Sequence, residues 1–266
     1  NADGIGDLVV LNTARGLDGG AGSIGVLRGL DGGGWAAMVA YPAGRLPRVM
    51  ALGDLDGDGR PDVAQTNPEA NEVSVLLNDA DGGFRPRVAF AVPGPALTPS
   101  ALAIGDVAGD PMPDIVVAFL GVGSSGSGAR VLENRDGGSF AWSGAALDTG
   151  GQGPSSVALA DLDADGARDL AFSHLWSARL GVLLNRGDAA KTFGSFGAPR
   201  AVPLASDGLS SWKLLAVELN GDGLVDLATA TWRRDAQTPP RWEGAVDIFL
   251  NKGTATAPVF REAGFQ

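Results

Sequence analysis

The stretch "DLDGDGRPD", Asp54 to Asp62, packs four carboxylates into nine residues, with glycine at the fourth and sixth places. Like charges this close repel, so something must neutralise them. The arrangement is not isolated. Aligned on it, the chain falls into register as "ALGDLDGDGRPDVAQ" (51–65), "AIGDVAGDPMPDIVV" (103–117), "ALADLDADGARDLAF" (158–172) and "LAVELNGDGLVDLAT" (215–229), with a clipped copy, "NADGIGDLVV", at 1–10. The full loops start at Asp54, Asp106, Asp161 and Glu218, spacings of 52, 55 and 57 residues.

A second landmark follows each loop, an apolar segment ending in Asn or Gly before a turn: "IGVLRGLDGGGW", "VSVLLNDADGGF", "ARVLENRDGGSF", "GVLLNRGDAAKTF" and "VDIFLNKGTATAPVF". Each unit therefore reads as four short strands. Strand A is the apolar run before the acidic loop ("VMALG"). Strand B follows the loop ("DVAQTN"), strand C is "EVSVLLN", and strand D starts at the aromatic after the turn ("FRPRVAFAV"). Val, Ile, Leu and Phe fill these runs, and Gly, Pro, Asn and Asp separate them. A four-stranded antiparallel unit repeated at this period predicts an all-β fold, a β-propeller with five blades at about 1–46, 47–98, 99–153, 154–209 and 210–266 in one domain. Because the chain opens inside a loop, blade one lacks its inner strand. An upstream segment or a partner chain is expected to complete it, and the ring could be larger than five.

These loops, with the "V-x-V-L-L-N…G-G-F" segment, resemble the FG-GAP/VCBS repeat family, whose blades occur in integrin α-subunit heads and many bacterial surface proteins. The resemblance covers essentially the whole chain in five units. It implies a propeller with calcium in the A–B loops, and it implies little about activity, because the blade is a scaffold with many uses.

The residues support the same cation. Calcium takes six to eight oxygens, and carboxylates at alternating places of a tight loop converge on one side. Asp54, Asp56, Asp58 and Asp62 form one ligand set, with the carbonyl of Arg60. Asp161, Asp163, Asp165, Asp169 and the carbonyl of Ala167 form a second, and Glu218, Asn220, Asp222, Asp226 and the carbonyl of Leu224 a third. The first loop keeps Asn1, Asp3 and Asp7. In the third, Asp106, Asp110 and Asp114 remain, but Ala108 replaces a ligand and Pro111 stands where others have Gly, so it is the weakest candidate. About three to four calcium sites are expected. An EF-hand is excluded, because place twelve is Gln65, Phe172 or Thr229 rather than Glu and the flanks are strands. A plain Asp-Gly turn binding nothing, and magnesium, are the competing readings.

The net charge of −11 belongs to these loops, which hold sixteen of the 31 acidic residues; the rest of the chain is slightly basic. A nucleic-acid partner is therefore not expected. No apolar run of 18 residues exists, so no membrane-spanning segment is expected. No basic-then-apolar leader opens the chain, so it was removed or never present. With no cysteine, thiolate metal sites and disulfides are excluded.

The face opposite the loops carries connections of unequal length, the usual seat of function on a rigid scaffold. Its best-equipped cluster is Trp232, Arg233, Arg234, Arg241 and Trp242, planar donors and indoles for a carbohydrate or protein ligand. His174, the only histidine, reads as a packed residue rather than a base. No nucleophile elbow, phosphate loop or zinc spacing occurs. The expectation is an extracellular or cell-surface binding module, since weak calcium sites fill at millimolar calcium. The alternatives are a polysaccharide-active, lyase-like enzyme or its domain, and a structural subunit of a surface assembly.

Overall fold

The protein, described as a computed structural model, is placed for residues 3–13, 21–94, 97–121, 126–144, 146–186, 195–204, 210–234, 242–253 and 258–263. Alternation of β-branched runs with Gly and Asp turns gives only strands, and among the described residues no helix is long and apolar enough to cross a membrane. The strands form five antiparallel sheets in chain order, the blades of a β-propeller. The first holds three strands among the described residues, β1 (Leu8–Asn12), β2 (Ala21–Leu27) and β3 (Val39–Arg45). The second holds β4 (Met50–Gly53), β5 (Asp62–Asn67), β6 (Glu72–Leu76) and β7 (Val88–Ala91). The third holds β8 (Thr98–Gly105), β9 (Asp114–Leu120), β10 (Gly128–Asn134) and β11 (Phe140–Trp142). The fourth holds β12 (Pro154–Ala160), β13 (Asp169–His174), β14 (Arg179–Leu183) and β15 (Arg200–Pro203). The fifth holds β16 (Ser210–Val217), β17 (Asp226–Arg234), β18 (Trp242–Asn251) and β19 (Phe260–Glu262).

The core lies between the sheets. Leu55 and Val75 of the second blade pack with Ile115, Phe119 and Leu132 of the third. Val107 and Val131 of the third pack with Leu170, Phe172 and Leu183 of the fourth, and Leu162 and Leu180 of the fourth with Leu227 and Phe249 of the fifth. Every residue of β5 and of β13 is buried, sandwiched from both faces, the polar Gln65, Thr66, Asn67, Ser173 and His174 included. Inner strands β4, β8, β12 and β16 succeed one another, and among the described residues no comparably extensive contact joins the fifth sheet to the first.

Polar stitches complement the apolar layers. The Asn of the second landmark reaches back to the preceding blade: Nδ2 of Asn134 donates to Leu55 O at 2.7 Å, of Asn185 to Val107 O at 3.1 Å, and of Asn251 to Leu162 O at 2.8 Å. Among the described residues Asn78 has no such partner. Its Nδ2 bonds only Pro61 O in its own blade, at 3.0 Å, and its Oδ1 is buried without a hydrogen bond. Removing the longer stitch should therefore cost more: Asn134→Ala is expected to lower unfolding free energy by about 2 kcal/mol and Asn78→Ala by about 1. Urea melts of the two variants check this, with equal losses contradicting it.

Candidate cation loops

All the full loops share one scaffold, built by the carboxylates on backbone N–H groups. The Asp at place nine is fully buried in each: Asp62, Asp114, Asp169 and Asp226. One of its oxygens accepts from the N–H of place two, Leu55 at 2.7 Å, Val107 at 3.1 Å, Leu162 at 2.8 Å and Leu219 at 3.0 Å. The other accepts from the landmark Asn N–H, Asn78 at 2.7 Å, Asn134 at 3.0 Å, Asn185 at 2.7 Å and Asn251 at 2.7 Å. In the clipped first loop Asp7 accepts from Gly29 N at 2.9 Å. The carboxylate at place five accepts the N–H of place seven in all five loops: Asp3 from Ile5, Asp58 from Arg60, Asp110 from Met112, Asp165 from Ala167 and Asp222 from Leu224. These pinning roles escaped the sequence reading, which took each carboxylate as a metal ligand alone. The paired recurrence of loop and landmark was the available signal.

Against this common frame the loops differ. Oxygens of Asp54, Asp56 and Asp62 lie within 4.8 Å of one another, and so do those of Asp161, Asp163 and Asp169. Among the described residues no other loop gathers three acidic ligands this way. In the third loop Asp106 and Asp110 accept from Gly109 N at 2.7 Å and Met112 N at 2.9 Å, and Ala108 occupies the place of the middle ligand. In the fifth, Asn220 Nδ2 donates to Asp226 at 3.2 Å and Lys252 Nζ lies 3.1 Å from Asp222, so local cationic and amide groups already answer part of the charge. In the second loop Asp58 pairs with Arg60, and Arg85 reaches Asp56 at 3.6 Å. Asn1 lies outside the described residues.

Burial sets the electrostatics. It pushes Asp169 up to about 7 and Asp114 up to about 6, against the backbone N–H bonds that favour the charged forms. Asp62 shifts upward for the same reason. Asp56 and Asp163 are raised first by burial and then by the neighbouring carboxylates Asp58 and Asp165. Asp163 Oδ1 is buried with no hydrogen-bond partner. Three carboxylates gathered this closely are what a hard divalent cation would satisfy, so the donor sets of the second and fourth loops fit calcium, and in the fourth the orphaned Asp163 Oδ1 adds to the demand.

A model of the FG-GAP-like repeat matches residues 54–117 and again 106–172. Residues 54–172 carry FG-GAP-like repeats. A crystal structure of a protein from Lactobacillus plantarum is similar over 97% of this chain and 82% of its own, at 14% identity and a TM-score of 0.57, a likeness of fold. A structure of the Dos1 propeller is similar over 91% of this chain and 66% of its own, at 9% identity and a TM-score of 0.49. No curated protein matches the chain.

On the opposite face the expected cluster is only partly placed. Trp232 is exposed and pairs with Ser210 at the start of β16. The backbones of Arg233 and Arg234 pair with those of Glu243 and Trp242. Arg241, and the side chains of Arg233, Arg234 and Trp242, lie outside the described residues. His174 is fully buried, with Nδ1 3.1 Å from Arg179 O and Nε2 3.2 Å from Thr149 Oγ1, and burial lowers its pKa from the usual 6.5. It is a packed residue, as expected.

Two outcomes follow from these FG-GAP-like loops and their surroundings. Ala164 stands at place four with φ +58°, where Gly57, Gly109 and Gly221 occupy the other loops at +77° to +80°. Ala164→Gly should stabilise the chelator-treated protein by about 1 kcal/mol, read as a higher urea midpoint. His174 titrates in the other direction from a salt-bridged group. Its folded pKa is depressed, so its contribution to stability is present above about pH 6.5 and is lost as pH falls through that value to the folded one. A proton NMR titration should place its midpoint below 6.5, and a midpoint at or above it would contradict the buried environment.

Proposed function

We propose that the chain is a calcium-stabilised propeller that works outside the cell or at its surface as a binding module for a carbohydrate or a protein. One observation carries the reading: two FG-GAP-like loops gather acidic oxygens within 4.8 Å, and one of the residues that supply them, Asp163, has a buried and unpartnered Oδ1. Asp54, Asp56 and Asp62 would hold one ion, and Asp161, Asp163 and Asp169 another. A bound ion supplies charge neutralisation and ties strand A to strand B at the hairpin end. Millimolar extracellular calcium suits open, solvent-edged loops of this kind. The opposite end of the inner strands is then free for a ligand, on a frame made rigid by its metal.

Calcium binding is tested by melting the protein with and without chelator. Free calcium at about 100 times the dissociation constant should add roughly 2.7 kcal/mol per site. Asp163→Asn should remove about half of that gain, while Asp106→Asn should leave it intact. A melting curve indifferent to excess chelator would sink the calcium reading. The binding role is read on arrays of glycans and surface proteins in calcium. Release of new unsaturated ends from a polyuronate would instead favour the lyase-like alternative.

A further inference from the structure

A recess of about 260 Å³ opens where the inner strands begin, at the end remote from the acidic loops. Its lining is set by the repeat. Six residues before each full loop stand Arg48, Ser100, Ser155 and Trp212, and all four line it. The next place along, Val49, Ala101, Ser156 and Lys213, lines it too. In three blades a break in the ladder register falls on the first of these places: between Pro99 and Ala101, between Pro154 and Ser156, and between Ser211 and Lys213. The bulged residue is left out of the pairing and its side chain is re-aimed.

The same place is used in two ways. In the third and fourth blades its serine stitches onward, Ser100 Oγ donating to Pro154 O at 2.6 Å and Ser155 Oγ to Ser211 O. In the second and fifth blades it carries Arg48 and Trp212, which make no such stitch. Neither Arg48 nor Lys213 has an ion pair or a side-chain hydrogen bond among the described residues, in a chain of net charge −11. No acidic residue lines the recess. Arg48 also borders a second recess beside Glu69, but Glu69 is taken by Arg45 at 3.8 Å. Trp212 is 48% exposed, with indole surface left to cover.

Building on the binding-module reading, we propose that this axial recess binds a carboxylated sugar, the terminal uronate of an acidic glycan. Two uncompensated cations over a lining without acids select an anion. The guanidinium of Arg48 suits a planar carboxylate, and the flat indole suits a pyranose ring, whose C–H face it covers. The volume, a little under the roughly 300 Å³ where ligand pockets begin, holds one sugar unit rather than a chain. An aspartate or glutamate side chain would satisfy the cations and leave the indole bare.

Calcium-loaded protein titrated calorimetrically with oligomers of galacturonate, glucuronate and mannuronate tests this. At least one should bind, about tenfold or more tighter than a neutral galactose oligomer, and less tightly as salt rises. Arg48→Gln, Lys213→Gln and Trp212→Ala should each weaken that binding by about tenfold, while Arg135→Gln, a charge control outside the recess, should not. These side chains are exposed at a strand start, and unchanged melting curves verify folding. The proposal is overturned if no uronate oligomer binds, if neutral oligomers bind equally, or if the three variants bind as the parent does. It is also overturned if polyglutamate competes fully and Trp212→Ala leaves the competition unchanged. Glycan binding on an array that survives Arg48→Gln and Lys213→Gln keeps the binding-module reading and rejects this site. A protein that captures neither glycan nor protein loses both.

Discussion

A buried carboxylate at the start of each strand B holds the repeat together. Asp62, Asp114, Asp169 and Asp226 are removed from water, and each accepts a backbone N–H from its own loop, Asp114 two, and one from the end of strand C. That single side chain closes the A–B loop, fixes the A–B register and anchors strand C. It also sets where the landmark Asn stands, and that Asn ties three of the blades to their predecessors. A carboxylate in this position is costly, because two N–H bonds do not replace full hydration of a charge. The upward shifts of Asp114 to about 6 and Asp169 to about 7 measure that cost. The frame thus creates a demand for positive charge at each loop, and the loops meet it differently. The fifth uses Asn220 and Lys252, the second uses Arg60 and Arg85 in part, and the fourth leaves Asp163 Oδ1 unanswered.

The residue at place two shows how the loops and the core are coupled. Its N–H is held by the buried Asp, and its side chain is thereby directed into the layer shared with the next blade. Leu55, Val107 and Leu162 are 0%, 1% and 1% exposed there, and their carbonyls receive the next blade's Asn. Leu219 occupies the same place in the fifth blade and is 46% exposed. Its N–H bond to Asp226 is intact at 3.0 Å, so the local frame forms even where the side chain at place two is left exposed. What the following blade contributes is burial, about 1.5–3 kcal/mol for a leucine side chain, and the acceptance of one carbonyl. Loop geometry is local, and blade-to-blade stability is not.

Much of this was legible in the sequence. The recurrence of loop and landmark at near-constant spacing gives the blades and their strand order. Place six differs between Gly59 and Pro111 in a way the backbone rules expose directly. What could not be read is the division of labour among the carboxylates. An Asp that accepts backbone N–H groups and an Asp that faces a cation look alike in a spacing pattern, and only burial separates Asp62 from Asp58. The ligand face was harder still. Attention went to the long loop around Trp242 because its composition is unusual, whereas Arg48, Trp212 and Lys213 sit at unremarkable strand starts. In the third to fifth blades that placement depends on a bulge, which leaves no mark in the alternation of apolar residues.

That the chemically varied residues sit six and five places before each loop follows from what the frame needs. Strand A presents apolar residues to its neighbours along its middle, and the loop keeps its buried Asp at place nine in every full copy. At the strand start the ladder is broken by a bulge in three blades, and the structural duty seen there is a hydroxyl stitch to the next blade in two of them. Ser100 and Ser155 perform it; Arg48 and Trp212 do not, and the sheets they begin still pair in register over Met50–Gly53 and Lys213–Val217. A position that the fold can leave unstitched in two blades of four is one where a guanidinium or an indole costs little. Because the inner strands gather around one axis, four such positions converge on a single recess although they are 52 to 57 residues apart in the chain.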